Sequence, residues 1–108
     1  MTFTKSITRD YILEMVKHIV LTEIEDMPVA VYLFGSFARG EERTTSDIDV
    51  AIWYDQPLPP GALTKISLRL EESVVPYQVD IVDLTLADQT LIDRVHREGI
   101  VWKDYRSE

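Results

Sequence analysis

Two short stretches of this 108-residue chain put residue types where phosphate chemistry needs them. The first is Gly35-Ser36, directly after the apolar run Val29–Phe34. A glycine at the end of a buried strand lets the backbone turn sharply and lets a ligand approach it closely. The serine hydroxyl and the amides of a following helical turn can then hold a phosphate. The second stretch is Ser46-Asp47-Ile48-Asp49, at the head of the next apolar run. Residues two apart on a strand point to the same face, so Asp47 and Asp49 project together while Ile48 turns into the core. Two such carboxylates repel by about 1 kcal/mol at 4 Å in water and about 4 kcal/mol at an effective dielectric of 20. Nothing in folding rewards that arrangement, whereas a bound divalent cation does, because hard cations take carboxylate oxygens. Asp80, between Val79 and Ile81, joins the pair if the third strand neighbours the second. Three carboxylates can hold two metal ions about 3.5–4 Å apart for in-line displacement at phosphorus.

The apolar pattern supplies the elements that must position these residues. Ile12, Met15, Val16, Ile19 and Val20 recur at helical spacing. Ser6 or Thr8 can cap that helix, and Asp26-Met27-Pro28 is expected to end it. Val29–Phe34, Ile48–Tyr54 and Gln78–Val82 read as strands. Between the last two, Leu63, Ile66, Leu70 and Val74 predict a helix broken by Pro76. Leu91, Ile92 and Val95 mark a final helix, with Gly99 at the expected left-handed C-terminal cap and Ile100–Trp102 as a short edge strand. Strands interleaved with helices predict an α/β fold, a small mixed sheet with helices packed on one side, in a single domain over residues 1–108.

Other residues compete for roles. Asp83 rivals Asp80, but three residues on it faces the other side of a regular strand and is better placed to cap a helix. Arg39, one turn beyond Ser36, can neutralise a phosphate or pair with Glu41 or Glu42, and Glu41-Glu42-Arg43 reads as a solvated turn. His18 and His96 fall on polar helix faces. Trp53, Trp102 and the tyrosines suit packing, with Tyr54 and Tyr77 near enough to strand ends to touch a nucleobase.

Charge and composition exclude several classes. Eleven basic against 19 acidic residues leave a net charge of −8. That argues against direct DNA or RNA binding, which needs a basic face, and suits cations or a basic protein partner. With no cysteine, disulfides and thiolate metal sites are impossible, and two histidines make a His-rich site a poor alternative. No segment approaches the ~18 consecutive apolar residues of a membrane helix. The first ten residues lack a signal-peptide pattern, so a cytoplasmic protein is expected.

The string Gly35-Ser36-Phe37-Ala38-Arg39-Gly40, followed by Ser46-Asp47-Ile48-Asp49-Val50, resembles the minimal nucleotidyltransferases of the DNA polymerase beta superfamily. The resemblance runs from Val29 to the Gly99-Ile100-Val101 end. It implies a polymerase beta-like palm. Gly35 and Ser36 then match the triphosphate-gripping turn, Asp47 and Asp49 the metal ligands, and Asp80 the third carboxylate, which binds metal and activates the acceptor hydroxyl. Arg39 is a further nucleotide-binding candidate. The implied cofactors are two Mg2+ ions, with ATP as substrate. The implied activity is transfer of AMP to a hydroxyl of a partner protein. Members of this family are commonly encoded beside a HEPN-domain toxin and act as its antitoxin, so a toxin tyrosine is the expected acceptor and a homo- or hetero-oligomer an open possibility. With 108 residues leaving no room for an acceptor domain, the acceptor is expected in trans. The alternative is an antitoxin with a vestigial site that neutralises its partner by steric binding. A transferase acting on an aminoglycoside-like alcohol is a third reading.

Overall fold

Thr8 opens the first helix, its hydroxyl accepting the Tyr11 amide at 3.1 Å. The computed structural model describes residues 8–104, so the rival cap Ser6 lies outside the described residues. The order is α1 (Arg9–Glu23), β1 (Val29–Phe34), α2 (Ser36–Arg39), β2 (Ile48–Tyr54), α3 (Ala62–Glu71), β3 (Val79–Asp83), a 3-10 turn (Leu84–Leu86), α4 (Gln89–Glu98) and β4 (Ile100–Lys103). No helix among the described residues is long and apolar enough to cross a membrane.

The sheet runs β3-β2-β1-β4. β1 is antiparallel to β2 and β4, and β2 is parallel to β3, so the expected mixed sheet is present. Strand alternation sends Val29, Val31, Leu33, Ile48, Val50 and Ile52 to one face. There they are buried against Ile12, Val16 and Val20 of α1 and Ile66 and Leu70 of α3. Truncating such a residue to alanine costs about 2–5 kcal/mol. The opposite face carries Phe34 and Ala51, covered by Leu84 and by Leu91, Ile92 and Val95 of α4. Helices on one side therefore describes α1 and α3 but not α4. After β3 the chain returns across the second face, because β4 begins beside Leu33 at the far end of β1.

Three boundaries differ from expectation. α1 stops at Glu23 rather than at Pro28, and a tight turn from Ile24 to Met27 follows. α3 stops at Glu71, well before Pro76, because the Ser73 hydroxyl takes the Leu70 carbonyl at 2.6 Å. Val74, assigned to the helical stripe, is 81% exposed. Gly99 is extended (φ −75°, ψ 156°), not left-handed, since the chain enters β4 at once. Its smallness serves close approach instead: a Cβ there would lie 2.5 Å from the Val95 carbonyl oxygen.

Candidate active site

β1 delivers the chain to Gly35 at φ 79°, ψ −158°, a conformation essentially confined to glycine. A Cβ at this position would lie 2.3 Å from Oδ2 of Asp49, so the bare backbone passes directly against that carboxylate. The single turn of α2 follows. The amides of Ala38 and Arg39 donate back to the Gly35 carbonyl, at 3.0 and 3.2 Å. The Ser36 and Phe37 amides precede the first such bond and have no carbonyl within the turn to donate to. Phe37 anchors the turn: it is 1% exposed and meets the Tyr77 ring edge-on, centroids 5.2 Å apart. Arg9 reaches over from α1, its guanidinium donating to the Phe37 carbonyl and, at 2.8 Å, to Glu42.

Ile48 is fully buried and fixes the strand. Asp47 stands exposed just before it, and Asp49 follows, half-buried, on the face that α4 partly covers. The parallel register sets Asp49 directly beside Asp80. Asp49 is pushed up to about 6, first by burial, then by the charges of Asp80 and Asp47, against the opposing pull of Arg39 and Arg94. Asp49 thus feels both Asp80 and Asp47 while it lies against the Gly35 turn. An all-oxygen anionic donor set of this kind suits a hard divalent cation. Among the described residues no three acidic or imidazole side chains already close around one point. Asp49 and Asp80 also line a cleft of about 780 Å3 that extends to Tyr77.

The other expected residues separate. Arg39 pairs with Glu41 at 2.9 Å and with Glu98 of α4 at 3.3 Å. Its charge still reaches Asp49. Asp83 faces away, accepting from the Tyr54 hydroxyl at 2.7 Å and capping the 3-10 turn through the Leu86 amide. Tyr54 ends β2 five residues beyond Asp49, roughly 16 Å along the strand, away from the carboxylates. Tyr77 does border the cleft. His18 and His96 are exposed, His96 with its ring 5.6 Å from that of Tyr32. Trp53 and Trp102 pack against the two cores.

Glu41-Glu42-Arg43 is not simply a solvated turn, because the Glu42 side chain is 19% exposed and held by Arg9. Arg9, Arg94 and Glu98 carried no signal in the sequence, since each acts across 28 or more residues. Phe37 could have been found as the one large apolar residue in a polar stretch.

The family described as polymerase beta, nucleotidyltransferase matches residues 15–107. The protein adenylyltransferase MntA of Shewanella oneidensis is 35% identical over 69 residues, 64% of this chain and 49% of that protein. The matched part of the chain thus spans about half that relative's length. A crystal structure of a toxin–antitoxin with AMP-PNP is similar at a TM-score of 0.65 and 28% identity, over 80% of this chain and 71% of that one. A structure of the tri-AMPylated Shewanella oneidensis HEPN toxin in complex with an MNT antitoxin is similar at a TM-score of 0.59 and 25% identity, over 82% and 70%.

Proposed function

The chain belongs to the polymerase beta nucleotidyltransferase family, and from that premise we propose that it transfers AMP from ATP onto a hydroxyl of a HEPN-type partner protein, acting as its antitoxin. The observation that carries this is the placement of Asp49 beside Asp80 and against the backbone of Gly35. It puts a carboxylate cluster and a phosphate-holding turn within one side chain's reach.

In this reading the amides of Ser36 and Phe37 and the Ser36 hydroxyl hold the phosphates of ATP. Asp47, Asp49 and Asp80 would hold two magnesium ions. When bound, these ions neutralise phosphate charge and acidify the acceptor hydroxyl. Asp80 accepts the acceptor's proton as the acceptor oxygen bonds to the α-phosphorus and the bond to pyrophosphate breaks. Arg39 leaves Glu41 and Glu98 for a phosphate oxygen. Such chemistry is mostly positioning and charge neutralisation, which a rigid strand pair and a turn supply.

A protein acceptor is supported by the similarity to the tri-AMPylated HEPN toxin complex, and the family resemblance adds a toxin tyrosine as the expected hydroxyl. The net charge of −8 favours a basic partner. The test is intact-mass analysis of the purified partner after incubation with this protein, ATP and magnesium. The partner should gain mass in steps of one adenylate, and an unchanged partner mass at full turnover conditions would contradict the proposal.

A further inference from the structure

The outer edge of β3 is unpaired among the described residues, and it lies beside the carboxylates. The Ile48 amide donates to the Gln78 carbonyl at 2.9 Å. In an evenly spaced parallel ladder this turns the backbone groups of residues 78, 80 and 82 toward β2, and those of Val79 and Ile81 outward. The 780 Å3 cleft is lined by every residue from Gln78 to Val82. Consecutive strand residues point to opposite faces, so a cavity touching all five must run along the strand's edge. One wall is apolar, from Leu70 and Val75. The charged residues lining it are Asp49, Glu71 and Asp80, with no lysine, arginine or histidine.

We propose that this groove is the acceptor site: an extended, basic segment of the partner protein pairs with the free edge of β3 and presents a side-chain hydroxyl to Asp80. A free edge recognises any extended chain through backbone bonds, and side-chain pockets select among them. The occupant's alternation then follows from the walls. The hydroxyl-bearing residue points to the Asp80 face, its neighbours rest on Leu70 and Val75, and flanking cations meet Glu71. The hydroxyl oxygen gains the bond to the α-phosphorus, pyrophosphate departs, and the proton passes to the Asp80 carboxylate. The inference rests on the nucleotidyltransfer reading above and adds how the acceptor is held.

The probe is the peptide Lys-Thr-Val-Tyr-Val-Thr-Lys, incubated with the protein, ATP and magnesium and followed by mass. Two N-methylated forms carry the methyl groups on the tyrosine and threonine amides or on the valine amides. An added strand turns only one of these sets toward β3. One form should therefore lose transfer by roughly five- to tenfold per hydrogen bond removed, while the other keeps it. Ile81→Pro, which deletes an outward amide at an edge position that tolerates proline, should lose transfer to a similar extent while retaining the thermal shift given by Mg-ATP. Equal transfer to both methylated forms, or full transfer by folded Ile81→Pro, overturns the proposal. So does wild-type protein that binds Mg-ATP and modifies no peptide. Wild-type protein that gives no Mg-ATP shift overturns the underlying nucleotidyltransfer reading as well.

Discussion

Replacing Asp49 by asparagine removes a charge that the metal-free fold resists. The Asp49 carboxyl is raised from 3.8 to about 6 by burial and by Asp80 and Asp47. A group raised in the folded state stabilises the fold when protonated, below the unfolded value, and loses that contribution as pH climbs through about 6. Near neutral pH, the ionised side chain therefore costs the fold energy. Taken at face value the rise corresponds to about 3 kcal/mol. Asp49 is only half-buried, so solvent screening reduces this to about 1 kcal/mol. Asparagine has the same shape and no charge. The variant should thus melt about 4–8 °C higher than wild type near neutral pH in chelator. The gain should shrink as pH falls through about 6 and vanish only below about pH 3, where the wild-type carboxyl is protonated in both states. Magnesium with ATP should raise the wild-type melting temperature and leave the variant almost unmoved. Thermal unfolding followed by circular dichroism at several pH values checks each arm. A variant that melts below wild type in chelator, or whose gain persists at low pH, would refute the charge-repulsion account of the cluster.

Three further outcomes are expected. Gly35→Ala should cost about 1–3 kcal/mol of stability, because its backbone angles exclude a side chain, and should also abolish the magnesium-dependent shift by pushing Asp49 aside; a variant with wild-type melting and wild-type magnesium response would contradict both. Magnesium affinity by calorimetry should weaken as pH drops through about 6, because the Asp49 ligand must be ionised, whereas a flat profile across that range would remove Asp49 from the ligand set. Arg9→Met should destabilise the domain by about 2 kcal/mol, since Glu42 keeps one buried oxygen without a partner and loses its ion pair on the other; adding Glu42→Gln should recover part of the loss, and no change in urea midpoint for Arg9→Met would show that the pair contributes nothing.

What the sequence revealed was what local pattern encodes. The unbroken apolar run at Val29–Phe34 marks a strand buried on both faces, and Asp47-Ile48-Asp49 is legible because strand alternation is a two-residue rule. Asp83 could be separated from Asp80 by the same rule. Gly99 misled because glycine after a helix usually signals a left-handed cap, whereas here it permits close approach to the Val95 carbonyl. Val74 continued the helical spacing of α3, but a local hydroxyl bond from Ser73 ended the helix first. The side of the sheet taken by α4 depends on where β4 pairs, and no nearby residue encodes that. The same holds for Arg9 on Glu42, Arg39 on Glu98, and the reach of Arg94 to Asp49. These are tertiary ion pairs and fields between residues far apart in the chain, and they tune the site rather than define it.

Titrating the partner's toxin activity against this protein, with ATP and magnesium present, is the most direct test that Asp47, Asp49 and Asp80 form a working transferase site. A transferase processes many partners per molecule. Wild-type protein should therefore neutralise the toxin at well below one equivalent, and the toxin should stay inactive after the two are separated. Asp47→Asn should neutralise nothing at those amounts. If wild type and Asp47→Asn titrate identically, at one to one and with activity returning on separation, the carboxylates do no chemistry and the protein acts by binding alone.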